Sequence, residues 1–321
     1  MKCLHPVGVY INKNYKDLGF FQVPCGKCYN CKQNKAKSVA FRLELETQKA
    51  SNSFFVTLTY PDHSINKING VSCVDNFITH RIFKRLRSQV WNEIKKSLHK
   101  LPCNRFSPPS VKQRNRQISA LRRHKYSLDP IVRSKYFLIS EYGPLTSRPH
   151  YHFIWFFYDQ VDVMEVEKKL LDLWDGIITV DLVNDARINY VSQYCNKDCE
   201  PQLFGQSKNI TRCSINIGAS LENSENYNRI LSQQCPRVSW RKGSIKLPSY
   251  YIRRAQKHGK LQIKDSYELY TESKKQQQEI DHKIKMYCRK YKILNKHEFL
   301  KFKISYIYAN EKNKRNKRAN I

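Results

Sequence analysis

The sequence predicts an α+β fold, and three observations carry that prediction. Residues 53–61, 136–143 and 148–157 are short runs rich in β-branched and aromatic side chains, the composition of strands. Residues 77–98, 162–174 and 185–197 instead repeat apolar side chains at helical spacing. A turn holding Gly143, Pro144 and Pro149 separates the second strand from the third, so those two are expected to pair as a hairpin.

The 321 residues are enough to bury a full core. Lys and Arg number 58 against 27 Asp and Glu, a net charge of +31. Such a field selects a polyanion, and nucleic acid is the expected one. No apolar run approaches the ~20 residues of a membrane helix. The N-terminus lacks the apolar region of a secretory signal, so a soluble, intracellular protein without a membrane partner is expected. Eleven cysteines, an odd number, fit a reducing compartment with metal-bound or free thiols better than a disulfide framework.

In chain order, the first chemistry is Pro24-Cys25-Gly26-Lys27-Cys28-Tyr29-Asn30-Cys31. Thiols spaced by two residues around a glycine turn can converge on one ion. Cys3 or His5 would then complete a tetrahedral zinc site with Cys25, Cys28 and Cys31. Part of an iron–sulfur ligand pattern, or a set of free thiols, are the other readings of the run. Residues 35–49 read as a short amphipathic helix. In the strand at 53–61, Thr57 and Thr59 share one face and Val56 and Leu58 the other, which suits a place beside a polar site. The helix at 77–98 carries Arg81, Lys84, Arg85 and Arg87 between its apolar positions, a candidate phosphate-contacting set. Residues 100–135 are polar, basic and without clear periodicity, and read as a long insertion that contacts DNA or is partly mobile.

The stretch Arg148-Pro149-His150-Tyr151-His152 organises the rest. Alternation along a strand points His150 and His152 the same way, about 7 Å apart, where two neutral imidazoles can grip a divalent metal. Glu141, nine residues before His150 on the partner strand, is placed to face them as a third ligand. At ~100° per residue, Tyr190, Tyr194 and Lys197 fall on one arc of the 185–197 helix, and Ile188, Val191 and Cys195 on a neighbouring one. The apolar arc can be buried while both phenols and the ammonium project together. Further on, 201–262 is Asn/Ser-rich with short strands, 263–309 is basic and helical in pattern, and 312–318 is a cationic tail expected to be disordered. The chain has no G-x-x-x-x-G-K-[ST] loop.

The order Phe55-Val56-Thr57-Leu58-Thr59-Tyr60, then Glu141 with His150-Tyr151-His152, then Tyr190-x-x-x-Tyr194-x-x-Lys197 resembles the HUH endonuclease superfamily of rolling-circle replication initiators. The Cys-rich start, Phe83-Lys84-Arg85-Leu86-Arg87 and Leu247-Pro248-Ser249-Tyr250-Tyr251 look more narrowly like the initiators of gokushovirus-type microviruses, which are single-stranded DNA phages. The superfamily likeness spans about residues 53–198.

The resemblance implies a central, mostly antiparallel sheet with flanking helices. Its expected boundaries are a Cys-rich segment over 1–50, an endonuclease core over 51–200 with the basic insertion near 100–135, an accessory segment over 201–262 and a basic tail over 263–321. It also implies Mg²⁺ or Mn²⁺ on His150, His152 and Glu141, and a tyrosine that attacks DNA to leave a 5′-phosphotyrosine and a free 3′-OH. Lys197 stands at the family's interval after Tyr194, but Gln193 occupies that place after Tyr190, so Tyr194 is the expected first nucleophile and Tyr190 the second. Single-stranded DNA and viral origin DNA are the implied partners. With no motor of its own, the chain would depend on host helicase and polymerase in the cytoplasm of a bacterial cell. A plasmid relaxase or single-strand transposase would share the metal and the tyrosine. A non-catalytic, zinc-stabilised nucleic-acid binder is the alternative from another class.

Overall fold

The computed structural model describes residue 3 and residues 6–10, 20–99, 111–143, 146–194, 205–233 and 236–261, with scattered positions between 275 and 292. In order, the elements are β1 (Val7–Tyr10), β2 (Phe20–Val23), α1 (Tyr29–Lys49), β3 (Asn52–Thr59), β4 (Lys67–Ile68), β5 (Val71–Ser72), α2 (Arg85–His99), α3 (Val111–Leu128) and α4 (Pro130–Arg133). Then come β6 (Lys135–Tyr142), β7 (Pro149–Phe157), α5 (Val163–Leu171), β8 (Ile177–Leu182), α6 (Asp185–Tyr194), β9 (Thr211–Cys213), α7 (Asn226–Leu231), β10 (Arg237–Trp240), β11 (Gly243–Lys246) and α8 (Ser249–Lys257). The chain divides into two compact units, one made of residues 1–34 with 256–321 and the other of residues 35–255.

The larger unit is built on a five-stranded sheet in the order β8-β3-β7-β6-β9, every neighbouring pair antiparallel. The fold class is therefore α+β, with the Thr and His strands side by side at its centre. β7 is buried nearly end to end because helices cover both faces of the sheet. That explains why its sequence is almost continuously apolar rather than alternating. One face carries Phe54, Val56, Leu58, Tyr151, Phe153, Trp155 and Phe157, packed against Ile82, Phe83 and Leu86 of the 80–99 segment and Val166 and Leu170 of α5. Each fully buried ring on that face is worth about 1.5–3 kcal/mol of transfer free energy. The other face carries Phe55, Phe137, Ile139, Ile154 and Phe156 beneath Ala40 and Leu43 of α1 and Ile188 and Val191 of α6.

Three local expectations need correction or extension. The helix expected over 77–98 is interrupted, since His80–Lys84 forms a π turn before the α-helix begins at Arg85. The extra residue per turn keeps Ile82 and Phe83 both in the core. The stretch expected to be an insertion without structure contains α3 and α4, the latter capped by Asp129, whose carboxylate accepts from the amides of Ile131 and Val132. Its period was faint because α3 is mostly charged and exposed, and rests on α2 through few side chains, Tyr126 edge-on against Trp91 among them. The smaller unit opens with the β1–β2 hairpin, which the sequence did not signal. The stretch 201–262 also contributes β9 to the edge of the main sheet.

Candidate active site

The register of the central strands assembles the site. Thr59, His150 and Glu141 are direct neighbours in one row across β3, β7 and β6, and Thr57 and His152 lie side by side in the row two residues on. Because side chains alternate, these polar groups share the face that α1 and α6 cover, just beyond Phe55 and Ile154. The Thr57 hydroxyl is 3.0 Å from Nδ1 of His152, and the Thr59 hydroxyl is 3.0 Å from Nδ1 of His150. A hydroxyl can donate or accept, so each threonine holds its ring in either tautomer and leaves Nε2 for the site. The two rings lie 6.5 Å apart and 30° from parallel, and Phe55 stacks on His152 at 5.7 Å. Gly143 keeps room for His150: a methyl there would sit 3.0 Å from its Nε2.

The tyrosines arrive from α6, whose start is fixed by Asn184. Its side chain accepts from the Arg187 amide at 2.9 Å and its carbonyl from the Ile188 amide at 3.0 Å. Arg187 pairs with Asp181 of β8 at 2.8 Å and lies 5.6 Å over Phe55, tying the helix to the sheet edge. With Ile188 and Val191 buried, the next arc of the helix faces the histidines. Tyr190 donates its hydroxyl to Oε1 of Glu141 at 2.7 Å and lies 3.4 Å from Nε2 of His152. His152 Nε2 and Glu141 Oε1 are 2.9 Å apart. The Tyr194 ring lies 4.6 Å from that of Tyr190, and its hydroxyl also bonds Glu141.

Electrostatics follow from this packing. Burial pushes the Glu141 carboxyl up, but hydrogen bonds from His152, Tyr194 and Tyr190 outweigh it and hold the group down at about 2. Glu141 is therefore ionised at neutral pH. Burial lowers His150, with His152 and Arg148 adding to it against the opposing pull of Glu141, so the neutral, ligand form of that imidazole is favoured. Burial, the Tyr194 hydrogen bond and the Glu141 charge all push the Tyr190 phenol above its usual range. Two threonine-held imidazoles and an ionised carboxylate on one face are a donor set that fits a divalent cation. The trio is aligned but not closed around one point. Among the described residues, only the four cysteines bring three or more such ligand atoms within 4.8 Å of one another.

Glu141, His150, His152, Tyr190 and Tyr194 thus come together as the sequence expects them to. Lys197 lies outside the described residues, as do His5 and Cys195. Cys3, Cys25, Cys28 and Cys31 converge in the smaller unit. Of the four basic residues on the 80–99 segment, Lys84 and Arg85 are exposed. Arg81 pairs with Asp75 at 3.0 Å and Arg87 reaches the Ser134 carbonyl at 3.4 Å. The anchoring by Thr57 and Thr59 is a contribution that sequence reasoning left unassigned. The matching spacing of the two threonines and the two histidines was its only trace. Tyr190 rather than Tyr194 makes the closer contact with His152, whereas the lysine interval had placed Tyr194 first.

With this geometry in view, the comparisons with known proteins agree in one direction. Residues 101–199 match the family model for the replication-associated protein ORF2. The chain is 26% identical over 268 residues to the replication-associated protein ORF2 of Spiroplasma virus 4, covering 77% of this chain and 71% of that protein. It is 27% identical over 219 residues to the replication-associated protein VP4 of Bdellovibrio phage phiMH2K (61% of this chain, 58% of that one). It is also 24% identical over 197 residues to the replication-associated protein ORF4 of Chlamydia phage 1 (55% of this chain, 38% of that one). The motif-based resemblance to phage replication initiators therefore stands: this chain is a relative of the replication-associated proteins of these small viruses, and it carries the ORF2 family pattern across its middle third.

Proposed function

We propose that the chain nicks single-stranded DNA at a viral replication origin by tyrosine transesterification and later rejoins the strand. The observation that carries this reading is the meeting of His152, Glu141 and Tyr190, from β7, β6 and α6, within hydrogen-bonding distance. His150, His152 and Glu141 would hold Mg²⁺ or Mn²⁺, which when bound supplies Lewis-acid polarisation of a phosphate and positive charge beside the phenol. Thr57 and Thr59 keep the imidazole nitrogens aimed. α6 presents two phenols from successive turns to the same spot, and the attacking phenol needs no diffusion to reach it.

In the reaction, a tyrosine oxygen bonds to phosphorus while the bond from phosphorus to the 3′-oxygen breaks. The phenol proton is lost to Glu141 or solvent, and the departing oxygen takes up a proton to become the 3′-OH. The phosphodiester bond energy is kept in the 5′-phosphotyrosine, so the reverse step reseals DNA. The 3′-OH would prime a host polymerase and unpaired template would come from a host helicase, in the host cytoplasm. Lys197 is assigned to charge stabilisation by resemblance.

The test uses 5′- and 3′-labelled single-stranded origin oligonucleotides with Mn²⁺. A denaturant-resistant adduct carrying the 3′ fragment is expected from the unaltered protein. Its loss in Tyr190→Phe or in Tyr194→Phe assigns the first nucleophile, and loss only in the double variant makes the two interchangeable. No adduct and no cleavage under any metal would overturn the nuclease reading in favour of a binding protein.

A further inference from the structure

A second metal centre, remote in sequence from the histidine site, is built into the N-terminal segment. Cys3, Cys25, Cys28 and Cys31 place all four sulfurs within 4.8 Å of one another. The Cys3 and Cys25 sulfurs are 3.5 Å apart, and those of Cys3 and Cys28 are 3.7 Å apart. A tetrahedral ion with zinc–sulfur bonds of about 2.3 Å sets its thiolates about 3.8 Å apart, so the observed spacing is that of ligands sharing one ion. A disulfide needs sulfurs at about 2.05 Å, and none of the four cysteines forms one. An iron–sulfur cluster has several metals between its thiolates and would hold them wider apart than a single ion does.

The backbone is shaped for the same purpose. Gly26 has φ +74°, a left-handed conformation that folds Cys25 and Cys28 toward each other. The Cys25 amide donates to the sulfur of Cys3 and the Cys28 amide to that of Cys25, both at 3.3 Å, the pattern that stabilises thiolate charge. Cys31 sits in the first turn of α1, one helical turn past Cys28. Lys27, Lys32 and Lys35 in the same stretch offset the charge of −2 that four thiolates and one Zn²⁺ leave.

We infer that Cys3, Cys25, Cys28 and Cys31 bind one Zn²⁺ as a four-thiolate structural site that clamps the N-terminal segment to the start of α1. Binding releases the four thiol protons to solvent and involves no change of oxidation state. With no position left open on the ion, the site takes no part in cleavage.

Zinc content of the purified full chain tests this. About one equivalent per chain is expected, retained in a His150→Ala/His152→Ala variant and lost in Cys25→Ser and in Cys28→Ser. Should those variants fail to fold, stepwise modification of the native protein with an organomercurial serves instead: zinc release should track the loss of four thiols. Exchange with Co²⁺ should give the intense visible absorption of a tetrahedral thiolate complex. Full reactivity of the four thiols with no zinc present, iron with acid-labile sulfide, or zinc retained in Cys25→Ser would each overturn the assignment. A zinc-loaded protein that does not nick DNA sinks only the nuclease reading, and an active protein without zinc sinks only this one.

Discussion

Thr57 and Thr59 are hydroxyls that aim the histidines without touching substrate, and that role can be separated from catalysis. Thr57→Val removes the hydroxyl on Nδ1 of His152 while keeping its volume close. Outer partners of this kind are typically worth about 10–100-fold in metal affinity. We expect Mn²⁺ titrations of Thr57→Val to shift by that factor and Thr57→Ser to recover most of it. Unchanged affinity in Thr57→Val would make the hydroxyl incidental. The Tyr190 phenol, raised by burial, the Tyr194 hydrogen bond and the Glu141 charge, stays protonated at neutral pH in the metal-free site. If its ionisation limits the attack, the cleavage rate at saturating metal rises with pH through the neutral and mildly alkaline range. A flat profile would place the slow step elsewhere. At this scale the sequence was informative, because period two placed the histidines and period 3.6 the tyrosines. Which phenol meets Glu141 was not legible, since it depends on how α6 is rotated over the sheet, and Ile188 and Val191 set that through long-range packing.

Among the elements, α1 is fastened to the sheet by one carboxylate. Glu46 is 1% exposed, accepts from Lys135 Nζ at 2.9 Å and the Gly218 amide at 2.5 Å, and is bonded by the Tyr158 hydroxyl. Burial pushes its carboxyl up, but these three partners outweigh that and leave it lowered. A folded value below the unfolded one, about 4.3, means the contribution is complete above about 4.3 and is lost as pH falls through the folded value. Glu46→Gln should cost about 1–3 kcal/mol at pH 7, with a smaller penalty in acid denaturation curves, where the unaltered protein also loses the charge. An equal penalty at every pH would show that the charge plays no part. Gly176, between Trp174 and β8, is a second fixed point. A methyl there would come 2.1 Å from the Thr59 carbonyl oxygen, which already accepts from the Trp174 indole at 3.2 Å. Gly176→Ala should therefore lower thermal stability by about 1–3 kcal/mol or more as β3 is displaced, read by calorimetry. Strands 53–61, 136–143 and 148–157 were legible from composition, whereas α3 hid behind its exposed charge. The order β8-β3-β7-β6-β9 could not be read locally, because only the β6–β7 pair is joined by a short turn.

Across the whole molecule, the charge of +31 is the feature with the longest reach. Binding to single strands should weaken linearly in log affinity against log salt, with a slope of about −0.7 for each phosphate neutralised. Lys84 and Arg85 are exposed, while Arg81 and Arg87 are engaged with Asp75 and Ser134. Lys84→Ala and Arg85→Ala should each make the slope shallower by about 0.7, and Arg81→Ala by less. Equal effects from all three would mean the Arg81–Asp75 pair opens on binding. Among the described residues, no helix is long and apolar enough to cross a membrane.

The row-by-row pairing of β3, β7 and β6 has an implication for how such a chain can vary. Residues added or removed in the turn between Tyr142 and Pro149 lie outside the ladder, so the loop there can change length without disturbing a ligand. A single codon inserted just after His152 would send every downstream ring of that strand to the opposite side. Indole and phenyl groups would then be thrust under the tyrosine helix. Length drift in this lineage should therefore be confined to the bend, with the nine positions of the histidine strand kept in frame.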